Sequence, residues 1–121
     1  MVEKLLNEIP SNKVNIRRIM RKVSYKKGFH FFKGPGDSTG VSAFSLIDFA
    51  KKLKTLDTKS IEYHFKRGDF EKWIKTIIDD PELAKKLSRI KKDSTGEKLR
   101  MQLLRIVTKR IVDFTIEHLS N

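Results

Sequence analysis

The stretch SIEYHFKRGDFEKWI, Ser60 to Ile74, holds a histidine, an Arg-Gly-Asp triplet, two phenylalanines, a tyrosine and the single tryptophan of the chain. It reads as an active site, an adhesion motif or a piece of packing, and the spacing of its apolar residues decides among them. From Thr58 to Lys66, Ile61, His64 and Phe65 fall on one side of a helix. From Asp69 to Ile78, Phe70, Trp73, Ile74, Ile77 and Ile78 form a broad apolar stripe on a second helix. Gly68 then stands where the first helix needs a left-handed residue to end. Asp69 stands where the second needs an N-cap. The triplet is punctuation between helices; an adhesion role would need an extracellular protein, which nothing in the sequence supports.

His64 and Asp69 could form an acid–base pair, with Glu62 as a further carboxylate. Catalysis would also need a nucleophile or a metal held beside them. His30 and His118 fall in other elements, and no HxxxH or HxxE spacing marks a metal site. The expected role of His64 is that of a partly buried histidine bonded to the turn carboxylate. The sequence therefore predicts no catalytic residue, no metal and no cofactor, and a protein that is not an enzyme. The same helix pair could be compared with a DNA-reading helix-turn-helix. The exposed Glu71, Lys72 and Lys75 would give it only a thin reading surface.

Working outward, FHFFK (Phe29–Lys33) suggests a strand, GPGDSTG a turn, and Val41–Ala43 a returning strand. Alternation would bury Phe29 and Phe31 and expose His30 and Phe32. The GPGDSTG loop lacks the lysine-hydroxyl ending of a phosphate-binding loop, since Val41-Ser42 follow Gly40. YKKGFHFFK also interleaves lysines with aromatics, a pattern that can hold single-stranded nucleic acid, although packing is the stronger reading. Ser45 opens a helix with Asp48 three residues on, burying Leu46, Phe49, Ala50, Leu53 and Leu56. Asp80-Pro81 supplies a cap and a first-turn proline for a helix burying Leu83, Leu87 and Ile90.

At the ends of the chain, VEKLLNEI carries Val2, Leu5, Leu6 and Ile9 at helical spacing. VNIRRIMRKV reads as a basic amphipathic helix, with Ile16, Ile19, Met20 and Val23 on its apolar stripe. Ser94-Thr-Gly-Glu97 is a capping box for a long helix over 94–119. That helix carries two apolar lines. One holds Leu99, Leu103 and Ile106; the other holds Leu104, Val107, Ile111 and Phe114, whose spacing suits a homodimer seam.

The chain has 121 residues and no cysteine, which fits one domain with its own core and excludes disulfides and thiol chemistry. Its start lacks the apolar run of a signal peptide, and no stretch has the length of a membrane span, so a soluble, cytoplasmic protein is expected. Charged residues make up 35%, a composition that leans toward a heat-adapted source. Net charge is +12, and it is unevenly placed. Residues 1–36 carry +7, residues 37–80 are neutral and residues 81–121 carry +5. Such a protein is drawn to polyanions.

Thr39-Gly40, Ala43, Ser45-Leu46, Phe49 and Leu53, then Ser60-Ile61-Glu62-Tyr63-His64, Arg67-Gly68-Asp69-Phe70-Glu71 and Trp73-Ile74 form a pattern. It resembles that of a small archaeal and bacterial domain family of unknown function. The resemblance covers roughly residues 29–90 and implies a compact, mostly helical unit without implying an activity.

These readings predict a mainly α fold: a compact bundle of about five to seven helices with a short β-hairpin near 29–43. A single domain is expected over 1–121, with a basic N-terminal helical segment (1–28), a neutral core (29–90) and the long C-terminal helix. The expected function is non-catalytic binding of RNA or DNA, in a ribosomal or chromatin setting. Phosphate contacts would come from Arg17, Arg18, Arg21, Lys22, Lys26, Lys27, Lys85, Lys86, Arg89, Lys91, Lys92, Arg105, Lys109 and Arg110. Ser45, His64, Gly68, Asp69 and Trp73 are expected to be structural. The alternative is an interaction or regulatory module that docks or dimerises through the C-terminal helix. An enzyme centred on His64 and Asp69 ranks below it.

Overall fold

The computed structural model describes residues 15–120, with the side chains of 15–117. The helix expected over 2–9 lies outside them. Among the described residues, six α-helices and a two-stranded antiparallel hairpin follow one another: α1 (Ile16–Ile19), a 3₁₀ turn (Tyr25–Lys27), β1 (Phe29–Gly34), β2 (Asp37–Ala43), α2 (Leu46–Thr55), α3 (Thr58–Arg67), α4 (Asp69–Trp73), a π-turn (Ile74–Ile78), α5 (Pro81–Ser88) and α6 (Gly96–Ser120). The fold is mainly α with a short hairpin, as the spacing predicts. No helix among the described residues is long and apolar enough to cross a membrane.

The hairpin register pairs Phe29 with Ala43 and Gly34 with Asp37, leaving Pro35 and Gly36 as the turn. Gly36 has φ +70°, the position that a type II turn after proline reserves for glycine. From Asp37 onward, GPGDSTG is strand rather than an open loop, a correction to the sequence reading. Alternation holds on β1, where Phe29 and Phe31 are buried and His30 and Phe32 are half-buried.

The hairpin packs on α3, and α6 packs across α2, α3 and α5. Phe29, Phe31, Phe49, Phe70 and Trp73 meet at the centre, with ring centroids 4.8 Å apart for Phe29–Phe31 and 5.3 Å for Phe49–Phe70. Tilted and edge-on pairs at these distances add to plain burial. Trp73 also donates its indole N–H to the Lys27 carbonyl at 2.8 Å, tying α4 to the start of the hairpin.

Gly68 is left-handed (φ +74°) and ends α3. Ser45 caps α2 by accepting from the Asp48 N–H, and Asp80 caps α5 by accepting from the Leu83 N–H. Three local expectations are corrected. Asp69 is the first residue of α4 rather than its cap, because its carboxylate is taken by His64 and Arg67. The Ser94–Glu97 box does not form, because Glu97 binds Arg100 while Glu62 of α3 accepts the Gly96 N–H at 2.8 Å. The basic helix expected through Val23 stops at Ile19, where the backbone turns away and the Val23 N–H bonds the Phe44 carbonyl.

α6 buries Leu99, Leu103, Val107, Arg110 and Phe114, a single line at spacings of 4, 4, 3 and 4. Leu104, Ile106 and Ile111 are partly buried beside it. The expected dimer seam is therefore split: Val107 and Phe114 belong to the interior, and Leu104 and Ile111 flank it.

Candidate nucleic-acid interface

Arginine and lysine behave differently in this fold. Arg18 donates to Asp79 at 2.8 Å. Arg21 reaches the carbonyls of Ile77 and Ile78. The π-turn there interrupts the helical ladder, and arginine supplies the donors its last carbonyls need. Arg110 is 9% exposed and makes two 2.9 Å bonds to the fully buried Asp80, with Glu82 at 3.2 Å. Burial works against its charge, but the bonds to Asp80 and Glu82 outweigh that and hold its pKa above the ordinary value. Arg21 thus anchors the π-turn, whereas the Arg18–Asp79 pair lies at the surface. Arg110 leaves the set of phosphate-contacting residues altogether, because its guanidinium is enclosed. Lys92 bridges to Glu71 at 3.6 Å and lies over the Phe65 ring, and Lys109 pairs with Asp113.

The remaining cations divide by place. Arg17 is exposed on α1, and Lys22, Lys26 and Lys27 are exposed in the segment leading to the hairpin. Lys85 lies in a shallow depression with Lys72 and Lys75. Lys86, Arg89, Lys91 and Arg105 come together in a groove between the end of α5, the loop after it and the first half of α6. Lys98 joins them, a residue the sequence reading missed. Lys98, Gln102 and Arg105 are spaced i, i+4, i+7 along α6, so helical periodicity was the available signal.

The groove has a volume of about 790 Å³, and its one carboxylate is Asp93. None of its five cations is within salt-bridge distance of a described carboxylate. Ser94 and Thr95, at the start of α6, complete its wall. The 25-residue α6 directs the positive end of its dipole to that side.

His64 is placed otherwise. It is 4% exposed, and its Nδ1–H donates to Asp69 at 2.8 Å while its Nε2 accepts the Phe32 backbone N–H at 2.8 Å. A proton on Nε2 would point at that N–H, so the ring is neutral. Burial lowers its pKa below the ordinary value, against the opposing pull of Asp69. With both nitrogens engaged, neither is free to activate a nucleophile. Glu62 turns away to Gly96 and does not join the pair. No group of three or more histidine, aspartate or glutamate side chains among the described residues is placed to hold a metal.

The model of the family of unknown function DUF5752 matches residues 2–108. The chain belongs to that family. The match runs from the second residue through the first half of α6, so it takes in the hairpin, the central helices and the groove. No curated protein and no solved structure gives a significant match.

Proposed function

We propose that the protein binds a nucleic-acid backbone, RNA or DNA, through the groove between α5 and α6. The observation that carries this reading is the set Lys86, Arg89, Lys91, Lys98 and Arg105, gathered in one groove without a carboxylate partner. Unpaired cations held together repel one another, and a polyanion that releases its counterions relieves this. Contacts of this kind give affinity with little sequence choice. A cytoplasmic location accords with such a partner. A homodimer through α6 is a weaker reading, since Leu104 and Ile111 alone of its seam flank the interior, and sedimentation at micromolar concentration checks it.

The test is fluorescence anisotropy with a labelled 20-nucleotide single strand and the matching duplex across a salt series. Five phosphate contacts give a slope of log K against log salt of roughly −3.5 for the single strand and −4.5 for the duplex. Lys98→Glu with Arg105→Glu should weaken binding and make that slope shallower by roughly two contacts. Lys51→Glu with Lys59→Glu changes net charge equally on exposed positions outside the groove. Equal losses in the two double variants would reduce the effect to net charge and overturn the groove assignment.

A further inference from the structure

A second concavity lies between the hairpin on one side and α3, α4 and the π-turn on the other, with a volume of about 610 Å³. That volume is within the range of small-ligand sites, roughly 300–1,000 Å³. The half-buried side chains of Phe32, Tyr63 and Ile77 line it, together with the buried Trp73. Arg67 and Lys72 are exposed at its rim. The Arg67 guanidinium lies over the Tyr63 ring, 5.1 Å from its centre, a cation–π contact. Asp69, the carboxylate of the cleft, gives one oxygen to both His64 and Arg67. Lys72 has no carboxylate partner among the described residues.

We infer that this cleft takes a nucleotide, with its base against Tyr63 and Phe32 and its phosphate at Lys72 and Arg67. An inorganic anion would leave the rings unused, and an apolar ligand would leave the cations unused. A planar base carrying a phosphate engages both, since base–aromatic and base–arginine stacking are the usual means of holding an unpaired base. Two features of the backbone support the assignment. The π-turn, a distortion often found at functional sites, places Ile77 in the cleft. His64, whose Nε2 accepts the Phe32 N–H, fixes the strand residue that forms one wall. His64 is in this reading a positioning residue. The inference is independent of the α5–α6 groove.

Trp73 is the only tryptophan, so its emission reports on the cleft directly. The experiment titrates the protein with AMP, adenosine and ribose 5-phosphate, read by Trp73 emission and in parallel by calorimetry. AMP should bind saturably, with adenosine and ribose 5-phosphate each weaker by about tenfold or more, the scale of one stacking or charged contact. Tyr63→Ala and Lys72→Glu should each weaken AMP by a similar factor, measured below the Tm of each variant so that both are folded; Tyr63→Ala also loses packing of a half-buried ring. The proposal is overturned by no saturable AMP binding in either readout, by ribose 5-phosphate binding as tightly as AMP, or by native affinity in folded Tyr63→Ala. A mononucleotide needs no extended groove, so failure here is distinguishable from failure of backbone binding.

Discussion

Replacing Arg110 by methionine would test the claim that this residue is part of the interior rather than of the proposed binding surface. In the native fold its guanidinium meets the Asp80 carboxylate through two 2.9 Å bonds and lies 4.4 Å from the centre of the Phe114 ring. Asp80 is 0% exposed. Methionine keeps much of the stem and its packing but leaves the Asp80 carboxylate buried, with the Leu83 N–H as its remaining donor. Breaking one side of a buried pair costs about 3–5 kcal/mol, mostly from the stranded charge. A chain of this length gains about 0.25 kcal/mol/K of unfolding entropy, so Tm should fall by roughly 12–20 °C. Adding Asp80→Asn removes the stranded charge and leaves an amide oxygen able to cap α5. The double variant should therefore be more stable than the sum of the two single effects by about 1 kcal/mol or more. Thermal and urea unfolding of the four proteins decides it. A loss below about 1 kcal/mol in Arg110→Met, or strict additivity in the cycle, would refute the reasoning.

Gly68→Ala should cost about 1 kcal/mol, or roughly 4 °C in Tm, because alanine must adopt the left-handed conformation. The added Cβ meets only the flexible end of Glu71, at 3.2 Å, so the cost is backbone strain, and an unchanged Tm would remove it. For His64, burial lowers the pKa in the fold, so the unfolded chain binds the proton first as pH falls. Stability should be insensitive to this group above about pH 6.5 and decline as pH drops from there toward the folded-state value. Comparing Tm at pH 7.5 and 5.5 for wild type and His64→Gln checks the sign, since a decline of equal size in the variant would show that other groups cause it.

The elements that could be read from sequence are those whose cause is local. The stripes of α2, α3 and α5, the left-handed Gly68, and the caps at Ser45 and Asp80 each follow from residues within one or two turns. The failures come from side chains or backbone drawn to partners that apolar spacing and capping rules do not register, several of them far away in the chain. Asp69 looks like an N-cap until His64, one turn earlier and held against the hairpin, takes its carboxylate. Ser94–Glu97 looks like a capping box, but Glu62 reaches Gly96 across 34 residues and Glu97 is drawn to Arg100. The helix through Val23 fails because its backbone joins the hairpin exit at Phe44. On α6, two apolar lines were visible, yet the buried one borrows Val107 and Phe114 from the expected seam and closes around Arg110. No periodicity argument places an arginine in a core, since its partner Asp80 is 30 residues away.

The same distinction bears on how the net charge is to be used. An ion pair contributes nothing to the net charge, so +12 measures the cations left over and does not say where they are. In this fold arginine supplies many of the internal bonds. Arg18, Arg21, Arg67, Arg100 and Arg110 each bind a carboxylate or backbone carbonyls. The planar, many-donor guanidinium suits such fixed partners, whereas a lysine ammonium is a mobile, strongly hydrated charge. The arginines thereby occupy carboxylates such as Asp69, Asp79, Asp80 and Glu82. Beyond α5 acidic residues are sparse, and the groove cations are left with Asp93 alone as a nearby acid. The positive field at the groove thus follows from where the acids are spent in the fold as much as from where the lysines fall in the sequence. A variant that adds a carboxylate there, rather than one that removes a lysine, should be an equally effective way to weaken polyanion binding. Thr95→Glu, at an exposed position on the groove wall, should lower affinity in the anisotropy assay about as much as Lys98→Gln, and no effect would show that the groove field is not what the polyanion senses.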